Sequence, residues 1–112
     1  MSNFRSLLPI LGIDGASLLS SAPYRRAKEG AANGVQVDLL LQAKSTAYVV
    51  EIKRRESIGA EVAEEINQKV KTVGFHAGTS VRTVLVYEGK LAPAVRTEHM
   101  LDFLIPAERL FE

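Results

Sequence analysis

Two β-prone runs, separated by a gap that admits only a turn, constrain this chain more than any other feature. Residues 35–42 read Val-Gln-Val-Asp-Leu-Leu-Leu-Gln, and residues 47–53 read Ala-Tyr-Val-Val-Glu-Ile-Lys. β-Branched, aromatic and leucine side chains suit a pleated, half-buried surface. Lys44, Ser45 and Thr46 between the runs make a tight turn. The two runs therefore predict an antiparallel β-hairpin. In its first strand Val35, Val37, Leu39 and Leu41 alternate with Gln36, Asp38, Leu40 and Gln42. A turn around Lys44 and Ser45 pairs residues whose numbers sum to roughly 89, which sets Asp38 directly opposite Glu51.

Beyond the hairpin the period changes. Ile58, Val62, Ile66, Val70 and Val73 recur every three or four residues, with Ala63 beside them. That stripe predicts an amphipathic helix over 59–73, closed by Gly74. Its acids come early and Lys69 and Lys71 late, which suits the helix dipole. Residues 81–87 are apolar almost throughout and predict a strand buried on both faces. Glu88, Gly89 and Lys90 read as a turn, 93–100 as irregular, 103–105 as a short strand and 106–111 as a last helical turn. Upstream, 3–11 reads as a short helix capped by Asn3 and stopped by Gly12. A second helix is expected over 14–20, capped by Asp14, with Leu18 and Leu19 inward. Residues 24–32 are open between an exposed strand and a loop, with a turn over 30–34. Hairpin, crossover helix and buried strand together predict an α/β chain with a mixed central sheet flanked by helices.

The length, 112 residues, fits one domain. Its expected parts are an N-terminal helical segment over 1–21, a core over 22–105 and a terminal turn over 106–112. Hydrophobic residues at 46% and charged residues at 24% exclude a disordered or fibrous chain. Cysteine is absent, which excludes disulfides, thiolate metal sites and a cysteine nucleophile. No apolar run approaches the roughly 18 residues of a membrane span, and the first residues lack a signal-peptide core. A cytoplasmic protein without membrane association is the expectation. The net charge of +1 conceals two blocks. Residues 22–55 carry Arg25, Arg26, Lys28, Lys44, Lys53, Arg54 and Arg55 against Glu29, Asp38 and Glu51. Residues 56–65 carry Glu56, Glu61, Glu64 and Glu65 and no base.

Asp38, Glu51 and Lys53 stand out, because charges inside β-prone strands are costly unless exposed or paired. Side chains alternate along a strand, so Glu51 and Lys53 share a face and Ile52 points into the core. Two opposed carboxylates repel. A hard divalent cation such as Mg²⁺ relieves that repulsion and keeps several of its waters. A lysine one step along can then orient water or stabilise charge on a phosphate. The plainer reading is an ion-pair cluster on a half-exposed sheet. Arg25, Arg26, Lys28, Arg54 and Arg55 divide in the same way between solvated surface and contact with a phosphate backbone. His76 and His99 have no metal-ligand spacing. The glycines form neither a P-loop nor a dinucleotide fingerprint, and no Ser-His-Asp arrangement is legible.

The runs Gly34-Val-Gln-Val-Asp38-Leu-Leu-Leu and Tyr48-Val-Val-Glu51-Ile-Lys53-Arg-Arg resemble the second and third core strands of the PD-(D/E)XK nuclease superfamily. Val37 stands where that pattern has proline. The resemblance spans about residues 24–105 and implies a restriction-endonuclease-like αβββαβ core. It is similar in particular to nuclease-like domains at the C-terminus of bacterial P-loop ATPases, through Ser80-Val-Arg-Thr-Val-Leu-Val-Tyr-Glu-Gly89 and Leu91-Ala-Pro93. It implies Mg²⁺ or Mn²⁺ held by Asp38, Glu51 and the backbone carbonyl of Ile52, with Lys53 catalytic. A polar residue on the following helix often joins such sites, and Gln68 is the candidate. Glu29 and Asp14 are poor matches to the family's early acidic residue. The implied activity is metal-dependent hydrolysis of DNA phosphodiesters. The alternative is a non-catalytic binding or regulatory module on the same fold, partnered by an ATPase domain or subunit, or dimerised through an exposed sheet edge.

Overall fold

The expected hairpin forms, with the expected register. β2 (Val35–Gln42) pairs antiparallel with β3 (Thr46–Ile58), matching Leu39 with Val50, Leu40 with Val49, Leu41 with Tyr48 and Gln42 with Ala47. The computed structural model describes residues 4–29 and 34–111. Asn3 and most of the expected turn over 30–34 lie outside the described residues.

Five strands lie side by side in chain order. β1 (Ser20–Arg26) is antiparallel to β2, and β4 (Ser80–Leu91) and β5 (Phe103–Pro106) continue the sheet parallel to β3. Parallel neighbours need a crossover. α2 (Ala60–Val73) joins β3 to β4, and a short α3 (Pro93–Thr97) joins β4 to β5, where an irregular segment is expected. Proline in the first turn starts α3 at no hydrogen-bonding cost. At the N-terminus α1 (Leu7–Leu11) ends at Gly12, whose φ of 74° is the left-handed conformation that closes many helices. The second expected helix shrinks to a 3-10 turn over Gly15–Ser17. The Asp14 carboxylate caps it, accepting from the Ala16 N–H at 3.1 Å. Leu19 is 70% exposed rather than inward. Its N–H donates to the Gln42 carbonyl at 2.7 Å, so its backbone already belongs to the sheet edge.

Apolar layers cover both faces of the sheet. On one, Val62, Ala63 and Ile66 of α2 pack on Val37, Leu40, Val49 and Leu85. On the other, Leu7, Leu8 and Leu11 of α1, with Leu110, pack on Leu39, Leu41, Val50, Val86 and Ile105. Arg26 ties the β1 edge to α2, donating to the Thr72 carbonyl at 2.7 Å in that helix's last turn, where a cation suits the dipole.

One irregularity positions the site. Val35 and Val37 lie in the α2 layer, whereas Leu39 and Leu41 lie in the α1 layer, so the strict alternation expected across β2 breaks at Asp38. The β1 register explains the break. Ala22 pairs with Leu40 and Tyr24 with Val37, so Asp38 and Leu39 together oppose Pro23. This is a β-bulge, and proline is a suitable partner because it has no N–H to leave unpaired. A bulge re-aims a side chain, and the one re-aimed here is Asp38.

Candidate active site

β2 and β3 pair only from Leu39 and Val50 toward the turn. Beyond that point β2 continues against β1 and β3 continues against β4, so the two strands part. Their backbone groups at the fork need partners, and the carboxylates supply them. The Asp38 N–H donates to Glu51 Oε2 at 2.8 Å, and the Ile52 N–H donates to Asp38 Oδ2 at 2.9 Å. Each strand's carboxylate is thus fixed by the other strand's backbone. Glu51 is 1% exposed, while Asp38 lies open to solvent.

α2 closes one side of the fork. Glu51 and Lys53 share the sheet face that α2 covers, and Ile52 packs in the opposite layer. Lys69 donates to Glu51 Oε1. It also lies 3.6 Å from Glu65 Oε1, one helical turn away, and Lys53 Nζ lies 3.5 Å from the same oxygen. Asp38, Glu51 and Glu65 against Lys53 and Lys69 leave a net charge of one minus. Both lysines keep about a fifth of their side chains exposed, at 20% and 21%.

Burial holds the Glu51 carboxyl above the usual carboxylate range. The hydrogen bonds from Lys69 and the Asp38 N–H pull it down, and the Asp38 charge pushes it up. A raised value means the folded chain binds its proton more tightly than the unfolded chain. The stability Glu51 contributes is fully present below its ordinary 4.5 and is lost as pH rises through the raised value. Urea midpoints should carry that downward slope in wild type, and Glu51→Gln should flatten it. An unchanged slope in Glu51→Gln would refute the assignment.

The remaining expected residues are placed differently. Gln68 is exposed, rims a groove with Gln36 and Lys69, and makes no side-chain bond to either carboxylate. Arg26 is engaged with Thr72. Arg54 pairs with Glu88 at 3.2 Å and Arg55 with Glu61 at 4.0 Å. Arg25 and Lys28 are exposed and form no ion pair among the described residues. Lys69, the residue that touches Glu51, was not among the expected site residues. The available signal was its place beside the Val62–Ile66 stripe, four residues after Glu65.

No protein-family model and no curated protein matches the chain. A solved structure similar to it is that of a repair endonuclease from Pyrococcus abyssi, with a TM-score of 0.56 at 20% identity. The likeness covers 94% of this chain and 46% of that one, so the chain spans less than half of its structural neighbour's length. It shows the fold: a mixed α/β sheet with flanking helices of the restriction-endonuclease-like kind. Among the described residues, no helix is long and apolar enough to cross a membrane.

Proposed function

We propose that the fork binds Mg²⁺ or Mn²⁺ and hydrolyses phosphodiester bonds in DNA. One observation carries the reading: two carboxylates from parting strands, each pinned by the other strand's N–H, with Lys53 on the same face. The donors suit such an ion. All are hard oxygens, and Mg²⁺ binds through one or two carboxylates plus water rather than through a full protein cage. Among the described residues, no three acidic or histidine side chains are grouped so that they could hold an ion by themselves. Asp38, Glu51 and the Ile52 carbonyl would hold the ion, which when bound acidifies water and neutralises phosphate charge. Lys53 holds the attacking water or a phosphate oxygen. Arg25 and Lys28 contact the backbone directly, and Arg54 and Arg55 do so by exchanging Glu88 and Glu61 for phosphates. The resemblance over residues 80–93 extends the proposal to an ATPase domain or subunit as partner, within the cytoplasm.

The second reading is a non-catalytic module on the same fold. The observation favouring it is that Lys69 already neutralises Glu51. Thermal unfolding with added Mg²⁺ or Mn²⁺ separates the two. A working site gains about 2.7 kcal/mol at 100 times Kd, and Glu51→Gln abolishes the gain. No stabilisation and no cleavage would leave the module reading standing.

A further inference from the structure

We infer that Lys69 is a tethered cation that occupies Oε1 of Glu51 and is handed to Glu65 when a divalent ion binds. This rests on the metal-binding reading above.

Glu51 has two carboxylate oxygens, and both are taken. Oε2 accepts the Asp38 N–H, a backbone bond that also holds the fork together. Oε1 accepts Lys69. Asp38 differs, because its Oδ2 accepts the Ile52 N–H and its side chain is solvent-exposed. A divalent ion taken up by these acids would therefore meet one available carboxylate and one already neutralised. Of the two groups on Glu51, only the lysine can leave cheaply. It sits on a flexible stem, is 21% exposed, and already has a second carboxylate 3.6 Å away. Glu65 precedes it by one helical turn, the spacing at which a glutamate best pairs with a lysine. Glu65 also lies 3.5 Å from Lys53, so the handover gathers both ammonium groups at one carboxylate beside the fork. One divalent ion turns the local charge from one minus to one plus, and the site then attracts a phosphodiester. Lys69 thus keeps Glu51 neutralised at rest and sets the metal concentration at which the fork opens.

Calorimetric titration of the intact chain with Mn²⁺ alone tests this. Breaking a charged hydrogen bond precedes binding in wild type, so Lys69→Met should bind Mn²⁺ about tenfold tighter. Lys53→Met is the control. Lys53 is equally exposed but not bonded to Glu51, so removing it should tighten binding by only about twofold, through screened charge. Glu65→Gln removes the acceptor and should weaken binding in wild type, but not in the Lys69→Met background. If Lys69→Met fails to fold, Lys69→Gln replaces it. Equal gains from the two lysine variants, or no gain from either, would overturn the handover while leaving metal binding intact. No Mn²⁺ binding by wild type or any variant would overturn the metal reading itself, and the handover with it.

Discussion

Asp38→Ala is expected to lower Mg²⁺-dependent DNA cleavage by about a thousandfold or more, with the chain still folded. The side chain is exposed, so its removal empties no core. The structural loss is one hydrogen bond from the Ile52 N–H, worth about 1 kcal/mol against the roughly 5–15 kcal/mol of an ordinary domain. Glu51 stays in place, because the group donating to it is the backbone N–H of residue 38, which alanine retains. The substitution therefore removes one proposed oxygen ligand and little else. Asp38→Asn should be as inactive, since its amide oxygen can still accept from Ile52 but the charge is gone. Lys53→Ala should also be inactive yet keep the stabilisation by metal, which separates holding the ion from using it. Cleavage assays paired with urea midpoints give the result. Wild-type activity in Asp38→Ala or Lys53→Ala would remove that residue from the site.

The juxtaposition of Asp38 and Glu51 was legible because two local rules agreed. A short turn sets the register, and the two-residue period sets the face. The ladder pairs from Leu39–Val50 to Gln42–Ala47 sit on the expected sum; the ladder ends one step short of the two acids, and the bonds from each strand's N–H to the other's carboxylate bring them together. The face change at Asp38 was not legible, because it depends on Pro23 in a strand paired across the sheet. The uninterrupted Leu39-Leu40-Leu41 run hints at it, since one-sided alternation would have no use for three leucines. Position 40 fills one layer, and 39 and 41 the other.

The helix contribution was harder to read, for a geometric reason. Periodicity says which stripe of α2 meets the sheet, but not which flank of that stripe overhangs the fork. Lys69 borders the stripe, while Gln68 lies about 100° further round and faces solvent. Choosing between them needs the angle at which α2 crosses the strands, and packing of Val62, Ala63 and Ile66 against β2 and β3 sets that angle. The basic block is a similar case. Its residues were legible as charges, but Arg26, Arg54 and Arg55 find their partners only through tertiary contacts.

Gly89→Ala is expected to be the most destabilising glycine-to-alanine change among the described residues, costing about 4 kcal/mol or preventing folding. Glu88, Gly89 and Lys90 look like a turn, yet β4 runs straight through them. Arg54 pairs with Glu88 and Ser57 with Lys90, so Arg55 and Glu56 bulge out opposite Gly89. The bulge presses the Arg55 carbonyl onto the glycine. A Cβ there would lie 1.7 Å from that oxygen and 2.9 Å from its carbon, both backbone atoms with no rotamer to escape into. The φ of 132° is itself a conformation nearly confined to glycine. Gly78→Ala separates the two causes. Its φ of 92° is also unfavourable, but nothing lies within 4 Å of its Cβ, so only the conformational penalty of about 1–2 kcal/mol applies. Urea unfolding of both variants measures the collision as their difference, and near-equal midpoints would show that β3 yields. The answer bears on the site as well as the fold. The bulge begins just after Arg54 and aims Arg55, so a β3 that yields at Gly89 would move a cation proposed to contact DNA.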